Sequence, residues 1–316
     1  MNNEIVIGID TSNYTTSVAL MTSDGQLIAN EKAPLPVKHG ECGLRQSDAV
    51  FAHIKNIPTL MDRLAAHLGK ESAVAIGVSE RPRNVDGSYM PCFLSGVAVA
   101  EGMSAVSGAP LYKFSHQCGH IMAAIHSAGR YDLLDKEFVA FHVSGGTTEM
   151  LKVTPDKCSF NAELIGGTAD LNAGQVIDRI GVYLGLNFPC GKEIEALALQ
   201  NDKKIPKKKI SGKELEINLS GLENMAVKLY KETSDAPLVA AFTLEFIANS
   251  LIYLVSEYEA RFGKTEFLFA GGVMSNSIIK QKLSSVCSAS FAEPALSADN
   301  AVGIAALCAR RYNLEK

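Results

Sequence analysis

Apolar runs and polar turns follow one another twice in the same order along this chain. The first set is Ile5-Val6-Ile7-Gly8-Ile9-Asp10, a polar cluster from Thr11 to Thr16, then Ser17-Val18-Ala19-Leu20-Met21, a Ser-Asp-Gly turn and Gln26-Leu27-Ile28. The second is Phe138 to Val143, the polar turn Ser144 to Thr148, Glu149 to Val153, a Pro-Asp turn and Phe160 to Ile165. Short β-branched and aromatic runs bounded by turn residues predict strands, so each set predicts three strands joined by tight turns. Helical periodicity follows each set, and then a late buried strand, Ala73 to Ser79 or Glu266 to Ala270, the latter leaving through Gly271-Gly272. The pattern predicts a duplicated chain whose halves meet near residues 129–137, where Gly129-Arg130-Tyr131-Asp132 breaks a helix.

A repeated β-β-β-α-β-α unit is the plan of the actin, sugar-kinase and Hsp70 ATPase superfamily. The expected fold is therefore α/β, a duplicated actin-like or Hsp70-like ATPase (ASKHA) fold of two lobes, residues 1–133 and 134–316, with a nucleotide and metal cleft between them. In that plan the polar hairpin turns hold phosphates. The adjacent glycines of Ser144-Gly145-Gly146-Thr147-Thr148 let a ligand approach the backbone and point N–H groups at an anion, although two glycines in a hairpin also make an ordinary turn. Ala270-Gly271-Gly272-Val273-Met274-Ser275-Asn276 precedes the amphipathic run Ile278 to Leu283, a strand-to-helix turn that favours an anion; there Asn276 reads equally as a helix cap. Asp178 sits on a largely apolar helical segment, either as a solvated acid or as an acceptor for ribose hydroxyls, and Gly191 follows in Pro189-Cys190-Gly191.

His116 and His120 carry the most specific chemistry. They stand four residues apart at the start of an apolar helical stretch, and positions i and i+4 share one helix face, so both imidazoles can grip one metal ion. The pair needs a further ligand. Asp299, with Asn300 at the head of the last predicted helix, reads as a capping acid or as that ligand.

Composition narrows the partners. Hydrophobic residues make up 47% and charged residues 20%, and 30 basic against 34 acidic residues leave a net charge of −4. No global basic field recruits nucleic acid, so an RNA contact has to be local; the lysine-rich stretch from Lys203 to Lys213 is the candidate, or else a solvated loop. Seven scattered cysteines without a C-x-x-C pair argue against a disulfide framework or thiolate knuckle and for a reducing compartment. No leader pattern stands at the first residues and no apolar run is expected to approach the length of a membrane span, so the expected location is cytoplasmic.

Six motifs, in order, resemble those of the tRNA adenosine threonylcarbamoyltransferase family, over nearly the whole chain. They are His116-x-x-x-His120, Val143-Ser144-Gly145-Gly146, Ala173-Gly174 through Asp178, Leu219-Ser220-Gly221-Leu222, Ala270-Gly271-Gly272 to Asn276, and Asp299-Asn300. The resemblance implies metal ligands at His116, His120 and Asp299 and nucleotide contacts at His142, Val143, Ser144, Gly145, Gly146, Asp178, Gly191 and Asn276. It implies one divalent ion, iron or zinc, and an adenine nucleotide, ATP or threonylcarbamoyl-adenylate. The implied activity passes the acyl group to the adenosine beside the tRNA anticodon.

The chain departs from that family at substrate-facing positions. An acidic pair of the first hairpin turn is replaced by Tyr14 and Thr15, a glutamate between the histidines by Cys118, and a Gly-Pro-Gly turn by the loop Glu80 to Pro91. Within that loop Arg81 and Arg83 are candidate groups for binding a phosphate or carboxylate. These changes leave open a carbamoyl-type transferase with another acceptor, or a non-catalytic scaffold that forms a heterodimer or homodimer through its N-terminal lobe. A peptidase ranks last, because no nucleophile–base pair adjoins the histidines.

Overall fold

The computed structural model describes residues 4–12, 14–36, 44–68, 72–293 and 300–316. They divide into two compact units, the first made from the described residues within 1–134, 154–162 and 298–316, the second from those within 135–153 and 163–297. The first unit's main segment ends at residue 134, and the units differ from lobes 1–133 and 134–316 in two places. The end of the chain and the short segment 154–162 both belong with the first unit.

In the first unit, β1 (Ile5–Ser12), β2 (Thr15–Thr22) and β3 (Leu27–Pro34) form an antiparallel meander. β4 (Ala73–Arg81) lies parallel to β1, and β5 (Leu111–Ser115) parallel to β4, giving the order β3-β2-β1-β4-β5. Strand residues alternate between sheet faces. Ile9 and Thr11 of β1 lie against Gly96 of α2 (Phe93–Ser107), on the face that α1 (Gln46–Leu68) also covers. Gly8 of β1 and Gly77 of β4 face the last helix, which we label α9 (Asn300–Glu315); a Cβ on Gly8 would overlap the backbone of Ala301 and Ala305, and one on Gly77 would press on Cys308. Here the absence of a side chain lets a helix lie directly on a sheet. That contact is why residues beyond 300 complete the first unit.

The junction of β5 and α3 (His116–Ala128) fixes the candidate ligands. Ser115 keeps extended backbone, φ −83° and ψ 150°, and its Oγ accepts the Cys118 N–H, so the helix begins at the next residue. His116 is thereby the first helical residue, held at the strand's end. Gly129 stops the helix with φ 65°. Gly303 of α9 packs on Gly119 of α3, where a Cβ would run into the Gly119 carbonyl oxygen.

The second unit repeats the plan. β6 (Phe138–Val143), β7 (Thr148–Asp156), β8 (Ser159–Thr168), β11 (Glu266–Ala270) and β12 (Ser288–Phe291) take the order β12-β11-β6-β7-β8, with β9 (Gly212–Lys213) and β10 (Glu216–Ile217) added beyond β8. Strands β6, β11 and β12 run parallel, as β1, β4 and β5 do. Phe269 stacks between Phe141 and Phe291, ring centroids 4.8 and 5.2 Å away, each pair adding about 0.5–1.5 kcal/mol beyond its buried area. Helices α4 (Ala173–Tyr183), α5 (Gly191–Ala198), α6 (Ser220–Thr233), α7 (Ala236–Phe262) and α8 (Ser277–Ser284) complete the unit. Helix α7 corrects one expectation. Its 27 residues, mean hydropathy 1.9 over the most apolar window, are long and apolar enough to cross a membrane, yet 78% of that window is buried inside the protein. A helix apolar all round is what a core position demands.

The glycine contacts are testable. Gly303→Ala is expected to lower stability by about 1–3 kcal/mol or more through overpacking, read as a fall in the denaturation midpoint. Gly102→Ala in α2, where a Cβ meets nothing, is expected to leave stability unchanged or raise it by about 0.5–1 kcal/mol.

Candidate functional site

His116 and His120 meet as the helical spacing predicts. Their ring centroids lie 4.6 Å apart at an interplanar angle of 70°, and Phe93 packs edge-on against His116 at 5.7 Å. An ion bound at about 2.0–2.1 Å from each ring nitrogen fits rings this close. Among the described residues no group of three or more His, Cys, Asp or Glu converges to hold a metal. The third expected ligand, Asp299, lies outside the described residues. The backbone contact of Gly303 with Gly119 sets the first turns of α9 against the turn of α3 that carries the pair.

Sequence reasoning missed one partner of His116. Asp10, at the end of β1 and fully buried, has Oδ1 3.0 Å from His116 Nδ1, and its Oδ2 accepts the Ser12 N–H at 3.3 Å. Burial alone would push this carboxyl up, but the His116 charge and the hydrogen bonds from His116 and Ser12 outweigh it and hold it at about 2. The signal was an acid at the end of an otherwise apolar run, to which the strand pattern alone gives no role.

His53 is also part of this end of the sheet. It lies on the buried stripe Ala49, His53, Ile57, Leu60 and Leu64 of α1, and its Nδ1 is 2.9 Å from Thr16 Oγ1, which also accepts from Asn56 Nδ2 at 3.1 Å. A histidine at helical spacing among core residues was the available clue. Burial pushes its imidazole below the usual 6.5, against the Ser12 backbone and the Asp10 charge, which pull it up.

Two segments of the first unit read as departing from the family pattern touch each other. Asn84, in the loop after β4, donates from Nδ2 to the Phe160 carbonyl at 3.1 Å and to Cys118 Sγ at 3.4 Å, while Cys118 Sγ donates to the same carbonyl at 3.2 Å. Cys118 is buried and committed to this latch, which favours its reading as a small packed residue over a soft ligand. Gln117 N–H donates to the Pro82 carbonyl at 3.0 Å. Arg81 ends β4 opposite Ser115, next to His116 in the chain, with its Nε 3.7 Å from Glu80; Arg83 donates its N–H to Ser88 Oγ at 3.0 Å.

In the second unit three predicted segments converge. Gly174 at the start of α4 lies on Ser144 and Gly145, donating to the Ser144 carbonyl at 3.1 Å, and Gly271, φ 103°, lies on Val143. Two amides assigned to an anion serve the turn itself: Ser144 N–H bonds Thr147 O at 2.7 Å and Gly146 N–H bonds Ser144 Oγ at 3.3 Å. A Cβ on Gly145, Gly146 or Gly191 would meet nothing within 4 Å, so these glycines border open space. His142, half-buried, is the penultimate residue of β6.

Asp178 Oδ1 accepts the Cys190 N–H at 2.8 Å, tying α4 to the loop before α5. With Gly145, Gln175, Arg179, Val182, Tyr183, Phe188 and Glu223 it lines a groove of about 760 Å³. Asn276 Oδ1 caps α8 by accepting the Ile279 N–H at 3.1 Å, the simpler of its two readings. The lysine-rich stretch runs without helix or strand from Lys203 to Lys209 and reaches β9 at Lys213. Lys203 pairs with Asp235 at 2.5 Å.

Comparisons with known proteins add the family. The family described as tRNA N6-adenosine threonylcarbamoyltransferase matches residues 37–306. Relatives carrying that name include one from Streptococcus suis, 27% identical over 330 residues that cover 100% of this chain and 94% of the relative. Another, from Thermosipho africanus, is 29% identical over 290 residues, 88% of this chain and 84% of the relative. Among solved structures, component A of (R)-2-hydroxyglutaryl-CoA dehydratase from Acidaminococcus fermentans superposes with a TM-score of 0.57 at 15% identity, covering 98% of this chain and 99% of that one. The ROK hexokinase of Thermus thermophilus gives 0.52 at 14% identity, with 98% and 99% covered. These neighbours are actin-like ATPase folds, as the duplicated strand order predicted.

His53 gives a pH prediction. Its folded imidazole resists a proton that the unfolded chain takes up near 6.5, so the unfolded state binds more protons below that pH. Stability is expected in full above about pH 6.5 and to fall as pH drops below it. Denaturant titrations from pH 7.5 to 5.5 should show a smaller fall in His53→Gln than in the natural chain, despite its lower stability at pH 7.5.

Proposed function

Because the chain belongs to the tRNA N6-adenosine threonylcarbamoyltransferase family, we propose that it is a metal-dependent, nucleotide-binding acyltransferase that carries threonylcarbamoyl from threonylcarbamoyl-adenylate to an adenosine of tRNA, the one beside the anticodon. The observation that carries this reading is the meeting of His116 and His120 at the end of β5 beside a buried carboxylate. In the transfer, the adenosine N6 attacks the carbamoyl carbon. The bond from that carbon to the phosphate oxygen breaks, AMP leaves with the electron pair, and the amine's proton passes to solvent.

His116, His120 and Asp299 would hold one ion, and two imidazoles with a carboxylate suit zinc or iron. Such an ion supplies Lewis-acid polarisation of the adenylate's phosphate or carbonyl. The groove beside Asp178 takes the nucleoside: its carboxylate accepts from ribose hydroxyls, while Val182 and the exposed Phe188 cover the base. Gly145, Gly146 and Gly191 leave room for the phosphate end, with Ser144, Val143, His142 and Asn276 framing it. Arg81 and Arg83 supply positive charge for the threonyl carboxylate. Holding the acyl carbon against an amine in one geometry is the main gain such a site offers.

The proposed partners are tRNA, through the lysines between Lys203 and Lys213, and a protein chain, a copy or a relative, on the first unit. Phe51 and Ile54 of α1 and Leu94 of α2 expose apolar surface suited to the second. A second reading, a carbamoyl-type transferase with another acceptor, draws on Tyr14 and Thr15 in place of an acidic pair and on the Asn84–Cys118 latch.

Incubating the purified chain with threonylcarbamoyl-adenylate and tRNA, followed by mass analysis of the nucleosides, is expected to show modified adenosine. His116→Ala and His120→Ala are expected to lower its yield about 100-fold or more. A metal-loaded, nucleotide-binding chain that never modifies tRNA would favour the other acceptor, and cellular function surviving both substitutions would favour a scaffold.

For the lysines, affinity for tRNA is expected to fall with salt. Replacing Lys207, Lys208 and Lys209 together by Ala should reduce the slope of log affinity against log salt by about 2–3. An unchanged slope in filter-binding titrations would remove this loop from the RNA contact.

A further inference from the structure

We propose that Asp10 is a positioning residue for the metal site: by engaging His116 at Nδ1 it orients the ring so that Nε2 is the nitrogen offered to the ion. The proposal rests on the reading of His116 and His120 as a metal grip and adds a residue that the histidine spacing does not reveal.

The strand explains how the acid gets there. Gly8 and Asp10 share a face of β1, the face on which α9 packs at Gly8 and to which α3 brings His116. Because Gly8 has no side chain, α9 lies flat on the sheet, and Asp10 two residues later is sealed beneath the start of α3 with 0% exposure. An ionised carboxylate removed from water carries a penalty of several kcal/mol unless hydrogen bonds replace the lost hydration. Here its oxygens are used, Oδ1 at 3.0 Å from His116 Nδ1 and Oδ2 by the Ser12 N–H at 3.3 Å.

Three uses are open to an acid at the end of this strand. As a general base it would have to reach the substrate, and a group with no exposed surface does not. As a direct ligand it would have to turn an oxygen to the ion, and Oδ1 is already taken by His116. Acting through His116 remains, and the geometry meets its requirement. A carboxylate on Nδ1 favours the tautomer that carries the proton there and leaves the lone pair on Nε2. Phe93, edge-on at 5.7 Å, and His120 at 4.6 Å confine the same ring from two other sides. Asp10 thus connects the first strand of the sheet to the first residue of α3.

The test uses Co²⁺ as a visible-absorbing probe and the full-length chain. Natural protein, Asp10→Asn and Asp10→Ala are titrated with Co²⁺, affinity being taken by chelator competition and geometry from the absorption bands. The expected result is one ion on the natural chain, about 10–100-fold weaker binding in Asp10→Ala with altered bands, and a smaller loss in Asp10→Asn, whose amide oxygen still accepts from Nδ1. In a His116→Ala background, Asp10→Ala should cost no further affinity. Equal loss with and without His116, or Asp10→Ala binding like the natural chain, overturns the proposal. Should the variants not fold, nitrogen chemical shifts of His116 in the natural metal-free chain decide it: protonation at Nδ1 supports the proposal and protonation at Nε2 alone overturns it. A natural chain that binds no ion removes the metal reading and this proposal together, whereas a bound ion indifferent to Asp10 removes this proposal alone.

Discussion

Close backbone contact at glycine is the constraint on which the first unit depends. Three glycines, Gly8 in β1, Gly77 in β4 and Gly303 in α9, leave no space for a Cβ, and the contacts they permit seat the last helix against the sheet and against Gly119 of α3. Packing at that separation tolerates little added volume. The candidate ligands inherit this precision, because His116 and His120 flank Gly119 and His116 also leans on Asp10. Geometry at the site is thus set by main-chain contact more than by interlocking side chains.

The repeated strand order was legible because each strand is a short apolar run ended by turn residues, and the same runs recur after residue 138. Four strands of each half follow from that pattern; β5 and β12, which complete the matching orders β3-β2-β1-β4-β5 and β8-β7-β6-β11-β12, do not. What the pattern could not carry was partnership at long range. Gly303 in a helix reads as a weak helix former until Gly119 is placed beside it, and so the return of α9 to the first unit stayed hidden. Helix α7 escaped for the opposite reason, since burial on all sides removes the periodicity that marks an ordinary helix.

The candidate site divides in the same way. Two histidines four residues apart speak through local helical geometry, and they do meet. Asp10 and Asn84 speak only through residues 106 and 34 positions away, at His116 and Cys118. The departures from the family pattern make better sense together than singly. Cys118 and the loop carrying Asn84 are hydrogen-bonded to one another and to the Phe160 carbonyl, so each altered segment has a partner in the other.

The discontinuity of the first unit bears on how the protein is made. Synthesis delivers β1 to α3 first and the second unit next, yet α9, which covers Gly8 and Gly77, follows both. Until then the sheet face beneath α9 lacks its cover at Gly8 and Gly77. The second unit therefore has the opportunity to fold on the ribosome while the first waits. The first unit is therefore completed only when segments lying on both sides of the second unit in the sequence meet.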